Sequence, residues 1–374
     1  MSTGGAAFAL SPDTRRLRIG RDFPLDSGAA LPELVVAFRT WGRLNARADN
    51  AVVVCHALTG TADADRWWAP LFGPARALDP ERDFIVCANV LGGCYGSTGP
   101  TSVAPDGRPY GARFPHITVR DQVRAQIVLL NALGVRGIRL VIGGSMGGLQ
   151  ALEWALLDQR VAAVATIAAS GRHSSWCIAW SEAQRQALAA DPRFANGHYD
   201  PSDPPLAGLA AARAIAMLTY RTAGSLAARY GRASGGEVFG DRARRPADPA
   251  VAGWLSHHGE SLNARFDANS YLRLINAMDS HDIGTGRGGF EAAAAQLWQP
   301  VLVVSIPGDA LYVAADQQEL AHALPYATLA TLESRHGHDG FLLDADALEP
   351  LLRSFRERAG QTAPIRRSAA GRST

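Results

Sequence analysis

The sequence predicts an α/β fold: a mostly parallel sheet with helices on both faces and a helical insertion above it. Three observations carry that reading. Short, fully apolar, β-branched runs recur along the chain, amphipathic stretches with helical spacing alternate with them, and residues 172–291 hold helical strings but no strand-like run. Apolar runs without polar alternation are the signature of strands buried on both faces, as parallel strands are.

Taken in order, the strand runs are 34–40, 51–56, 84–89, 139–143, 161–168, 300–305 and 328–332, and the helical stretches 119–133, 149–157, 314–323 and 347–359. The run at 34–40 suits an antiparallel edge strand. Inside 172–291 the helical strings are 176–190, 206–218, 223–230 and 270–279, interrupted by a polar, proline-bearing connection at 241–249. The expected organisation is a core built from 15–171 and 292–358, a helical lid of 172–291 over the carboxyl ends of the strands, and a disordered polar tail at 360–374.

Composition removes several function classes. The 374 residues are 47% hydrophobic, as in packed globular proteins, and no apolar run approaches the ~20 residues needed to span a bilayer. With a formal net charge of +2 and scattered basic residues, nucleic acid is not an expected partner. The first ten residues carry no basic n-region, and the expected location is the cytoplasm. All 37 residues counted as Lys+Arg are arginine. A pyridoxal Schiff base, a phosphate-loop lysine and a Ser-Lys dyad are therefore excluded. Cys55, Cys87, Cys94 and Cys177 form no C-x-x-C pair, and the histidines no H-E-x-x-H, so neither a disulfide framework nor a catalytic metal is expected.

One motif points to chemistry. Residues 139–148 run Arg-Leu-Val-Ile-Gly-Gly-Ser-Met-Gly-Gly and lead at once into helix-compatible sequence. Strand, Gly-x-Ser-x-Gly, helix is the form of a nucleophile elbow, which would hold the Ser145 hydroxyl at a strand's carboxyl end. A serine needs a base to take its proton and a carboxylate to orient that base. Asp309 follows the strand at 300–305 and His338 lies beyond 328–332, giving the chain order Ser, Asp, His of α/β-hydrolases. His336 competes for the base role, and the tight Gly337/Asp339-Gly340 surroundings favour His338. The oxyanion donors would be the backbone amides of Met146 and, from the loop after 51–56, Leu58. His56 in that loop is expected to order it, and the glycine-rich stretch 89–100 to wall the entrance.

The segments NVLGGCYGSTGP (89–100), GGSMGGLQALEW (143–154), MLTYRT (217–222), RFDANSY (265–271) and HGHDGF (336–341) are more specific. Over residues 15–358 the chain resembles the homoserine O-acetyltransferase family, acyltransferases of the α/β-hydrolase fold. The resemblance implies acyl transfer from acyl-CoA to the hydroxyl of L-homoserine, the committed step toward methionine, with acyl-CoA a co-substrate and no bound cofactor. It assigns Ser145 as nucleophile, Asp309 as orienting carboxylate and His338 as base. It also places the substrate carboxylate on Arg221 and the substrate ammonium on Asp339, and it implies a homodimer formed through the insertion. A planar guanidinium and a carboxylate are the fixed pair a zwitterion calls for. Met146 departs from relatives that carry another apolar residue there, which matters little to a backbone amide. Rival readings keep the mechanism with succinyl-CoA or L-serine, or take the chain as a serine esterase or a non-catalytic binding protein on the same scaffold.

Overall fold

The computed structural model describes residues 10–20, 22–233 and 249–361. Eight strands form one sheet: β1 (Arg15–Ile19), β2 (Leu34–Trp41), β3 (Ala51–Cys55), β4 (Phe84–Ala88), β5 (Ile138–Gly144), β6 (Val164–Ile167), β7 (Val301–Ser305) and β8 (Ala327–Thr331). Their spatial order is β1-β2-β4-β3-β5-β6-β7-β8. The pairs β1/β2 and β2/β4 are antiparallel, and every other pair is parallel.

β2 is antiparallel as expected, yet it is not the edge. β1 pairs outside it, from Arg15 opposite Phe38 to Ile19 opposite Leu34. The sequence Arg-Arg-Leu-Arg-Ile hides this strand because an exposed edge has little to bury. The inner strands β3, β4, β6 and β7 are buried at every position. Alternate residues feed two cores: Val53, Val141 and Val303 face one layer, and Val52, Val54, Ile142 and Val304 the other.

The helices that matter to the site are α1 (Val119–Ala132), α2 (Met146–Leu157), α3 (Ser175–Ala189), α4 (Leu206–Tyr220), α5 (Ala223–Tyr230), α6 (Ala250–Asn263), α7 (Ala268–Asp279), α8 (Ala314–Ala323) and α9 (Ala345–Gln361). α1 opens on a capping box in which Thr118 and Asp121 satisfy each other's backbone amides. Between β6 and β7 the described residues form helices, joined by an isolated bridge from Arg172 to Asp282. Helices α3, α4, α6 and α7 share a third apolar cluster with Leu58, Met146, Leu149 and Tyr312, so this insertion is anchored on the loops around Ser145. Residues 241–248 of the expected polar connection and 362–374 of the expected tail lie outside the described residues, while 360 and 361 end α9. No described helix is long and apolar enough to cross a membrane.

Candidate active site

β5 ends in Gly143-Gly144, and α2 starts at Met146, leaving Ser145 alone at the corner with φ 56° and ψ −127°. That backbone conformation costs a non-glycine residue of order 1–3 kcal/mol and must be imposed by its surroundings. The surroundings do so. The Ser145 amide donates to the Ile167 carbonyl of β6 at 2.9 Å. A Cβ on Gly147 would lie 2.1 Å from the Cys55 carbonyl oxygen, and one on Gly143 2.3 Å from the Gly147 carbonyl, so neither position admits a side chain.

Two loops bring the partners. His338 sits 2.9 Å through Nε2 from Ser145 Oγ and 2.8 Å through Nδ1 from Asp309 Oδ2. The carboxylate can only accept, so Nδ1 carries the proton and bare Nε2 accepts from the Ser145 hydroxyl. The second oxygen of Asp309 accepts from the amides of Leu311 and Tyr312, both at 2.9 Å. Asp309 is thereby fixed by three contacts before any substrate arrives. Burial alone would lower the His338 pKa, but the charge and hydrogen bond of Asp309, with help from Asp339, outweigh it and raise the pKa above 6.5. The imidazole is enclosed by the rings of Tyr220, Tyr312 and Phe341, at centroid distances of 5.4, 5.8 and 5.7 Å. Ser145 itself is only 5% exposed.

His336 is not in this contact. Its Nδ1 meets a terminal nitrogen of Arg221 at 3.0 Å. Arg221 and Asp339 are brought together as an ion pair, Nε to Oδ2 at 3.0 Å, without the alignment of a hydrogen bond. Burial raises the Asp339 pKa, against the opposing charges of Arg221 and His338.

The loop that carries Leu58 is held from three directions. Burial pushes the His56 pKa down to about 4, so its ring is neutral at physiological pH. Nδ1–H donates to the Ala57 carbonyl at 2.8 Å and Nε2 accepts from the Val90 amide at 3.1 Å. Gln150 of α2 donates to the His56 carbonyl at 3.3 Å. Arg265, between α6 and α7, donates to the Thr59 carbonyl and the Tyr95 hydroxyl, each at 2.8 Å. The ordering role expected of His56 is thus a specific bridge to the 89–100 stretch. Met146, the first residue of α2, presents one of the amides that a helix start leaves unpaired.

Residues 50–344 match the alpha/beta hydrolase fold family. The homoserine O-acetyltransferase of Nostoc punctiforme is 51% identical over 356 residues, covering 93% of this chain and 97% of that relative. The chain belongs to the homoserine O-acetyltransferase family. Among solved structures, a Staphylococcus aureus homoserine O-acetyltransferase is 28% identical with a TM-score of 0.74 over 94% of this chain and 97% of that one. An esterase, E22, is 25% identical with a TM-score of 0.83 over 92% and 99%. The scaffold of the homoserine O-acetyltransferase family is therefore shared with a protein named as a hydrolase, and the fold alone does not separate transfer from hydrolysis.

Several side chains at the site went unread in the sequence. Tyr220 and Tyr312 enclose His338, and Tyr220 is adjacent to Arg221 in the MLTYRT segment. Arg213 lies with its guanidinium 5.4 Å from the Tyr220 ring and forms no ion pair among the described residues. The two are seven apart on α4, two turns along one face, and that spacing was the available signal. Tyr312 in turn holds His173, Nδ1 to hydroxyl at 2.9 Å, for which no sequence motif gave warning.

Proposed function

We propose that this chain acetylates the hydroxyl of L-homoserine from acetyl-CoA through an acetyl ester on Ser145. The observation that carries it is His338 bridging Ser145 and Asp309 at hydrogen-bond distance in a chain about half identical to homoserine O-acetyltransferases. In the first half-reaction His338 Nε2 takes the Ser145 proton as Oγ attacks the thioester carbonyl. The amides of Met146 and Leu58 receive the oxyanion, the carbon–sulfur bond breaks, and the proton passes to the departing thiol. In the second, His338 deprotonates the homoserine hydroxyl, which attacks the acetyl ester and returns Ser145 with its proton. Arg221 takes the substrate carboxylate and Asp339 its ammonium, exchanging one internal ion pair for two with the zwitterion. Arg213, near enough that its charge lowers the Asp339 pKa, adds a second cation to that mouth.

Transfer demands a dry acyl-enzyme. The ring enclosure of His338 and the near-complete burial of Ser145 support it over hydrolysis. The same reading casts 172–291 as a lid on a core of 15–171 and 292–358, a homodimer formed through that lid, and a cytoplasmic enzyme on the route to methionine. Intact-mass analysis after mixing with acetyl-CoA alone tests the mechanism. The expected result is one acetyl group on Ser145, discharged by L-homoserine and absent from Ser145→Ala. Acetyl-CoA turnover by the alanine variant at the wild-type rate would sink it. Succinyl-CoA and L-serine in the same assay test the neighbouring substrate choices. Equal release of free acetate with and without an amino-acid acceptor would make the protein an esterase.

A further inference from the structure

A cavity of about 290 Å³ lies beside Arg221, lined by α5, α6 and the loop preceding His338. Its wall carries Arg221, Arg229, Arg335 and His336, together with the rings of Tyr230 and Trp254, and includes no carboxylate among the described residues. Arg229 and Arg335 are exposed and form no ion pair among the described residues. The less exposed Arg39, Arg120, Arg185 and Arg356 each pair with a carboxylate. Tyr230 and Trp254 stand 6.0 Å apart at 41°, and the Arg229 guanidinium lies 5.2 Å from the Tyr230 ring. Uncompensated guanidiniums beside a pair of aromatic faces match phosphate groups attached to a flat heteroaromatic base. The volume sits at the lower edge of the ~300–1,000 Å³ of small-molecule pockets, enough for one end of a large ligand.

We propose that this cavity binds the phosphorylated adenosine end of the acyl donor. The proposal rests on the reading of the chain as an acyl-CoA-dependent transferase. Arg229 and Arg335 take the phosphates, and the base lies against Trp254 and Tyr230. The position fits a docking handle for the first half-reaction. Arg221 and His336 line the cavity and touch each other, and Arg221 also pairs with Asp339 beside the catalytic His338, so a ligand held there adjoins the residues proposed to hold the acceptor. Because the two exposed arginines belong neither to the triad nor to the acceptor pair, they can be removed without touching the chemistry.

Steady-state kinetics of Arg229→Ala/Arg335→Ala with two donors tests this. One donor is acetyl-CoA and the other is N-acetylcysteamine acetyl thioester, which has the same reacting bond and no nucleotide. The expected result is a KM for acetyl-CoA raised about ten- to hundredfold with kcat retained, and an unchanged kcat/KM for the short thioester. Unchanged KM for acetyl-CoA, or an equal loss with both donors, overturns the proposal. If the wild type uses neither thioester, the donor reading itself fails, an outcome distinct from the first two. Calorimetry with adenosine 3′,5′-bisphosphate and with inorganic phosphate separates the ligand sources. Tighter binding of the nucleotide, lost in the double variant, supports the assignment, whereas equal binding of inorganic phosphate reduces the site to a simple anion pocket and overturns it.

Discussion

Among the described residues, two sets of carboxylate, imidazole and hydroxyl, each with a buried imidazole, behave oppositely. In Asp309–His338–Ser145 the carboxylate lies 2.8 Å from the ring, keeps its second oxygen on two backbone amides, and raises the histidine pKa. In Asp279–His173–Tyr312 the hydroxyl contact is equally short at 2.9 Å, but the carboxylate stands 3.4 Å from Nε2, off the line of a hydrogen bond. Asp279 is committed to Arg185 at 2.5 Å. Burial, with the charges of His281 and Arg185, then pushes the His173 pKa down to about 3. A base is therefore made by a carboxylate aligned on the ring and not drawn off by an arginine, and not by the residue triplet. The second set is a brace: it holds Tyr312, whose ring lies against His338 and whose amide donates to Asp309.

The largest expected effect breaks the first set. Asp309→Asn removes the charge that favours protonated His338 and presents an amide that can support the wrong tautomer, so kcat should fall about 10⁴-fold with the fold intact. Asp279→Asn should cost under about tenfold in kcat, although it removes one of the two carboxylates paired with Arg185. Steady-state rates alongside circular dichroism decide the matter, and comparable losses in the two variants would erase the distinction. The pH profile sharpens it. Only neutral His338 can accept the Ser145 proton, so wild-type kcat/KM should drop about tenfold per unit below the raised pKa of His338. In Asp309→Asn the acid limb should move to lower pH.

Stability should respond to pH with opposite signs at the two histidines. His173 holds its proton less firmly folded than unfolded, so the folded state loses stability as pH falls below about 6.5. His338 has a raised folded pKa, so its contribution is present below 6.5 and is lost as pH rises through the folded value. In His173→Gln the loss of unfolding free energy between pH 7 and pH 5, measured in urea, should shrink by about 1–2 kcal/mol. An unchanged difference would mean that this ring is not held neutral. The same variant frees Tyr312 and should lower kcat about tenfold.

How legible each part was in the sequence follows from how locally it is determined. The inner strands were readable because burial on both faces leaves almost only apolar residues, as in the Val-Leu-Val-Val run that opens Val301–Ser305. Ser145, Asp309 and His338 were readable because each sits directly after a strand or at a short remove from one. β1 escaped because an edge strand buries almost nothing. α6 escaped because Gly253, Gly259 and paired histidines depress its helical propensity. Gly259 has a tertiary reason: a Cβ there would lie 2.8 Å from that of Ala210, where α6 crosses α4. The Arg221–Asp339 pair and the His173–Tyr312 brace join residues distant in sequence, and no local pattern encodes such contacts.

The smallest effect tests whether the insertion also tunes the oxyanion loop. Arg265 reaches from the insertion to the Thr59 carbonyl, one residue beyond Leu58, while His56 and Gln150 hold the loop from the core side. Arg265→Met keeps much of the side chain's apolar bulk and deletes the bond. If the Leu58 amide is aimed by all three tethers, the oxyanion loses part of its preorganised donor geometry while ground-state binding is untouched. The expected outcome is a kcat reduced about three- to tenfold, with both KM values unchanged. A raised KM for homoserine at constant kcat would instead make Arg265 a substrate contact, and the insertion would then act on the reaction by enclosure alone.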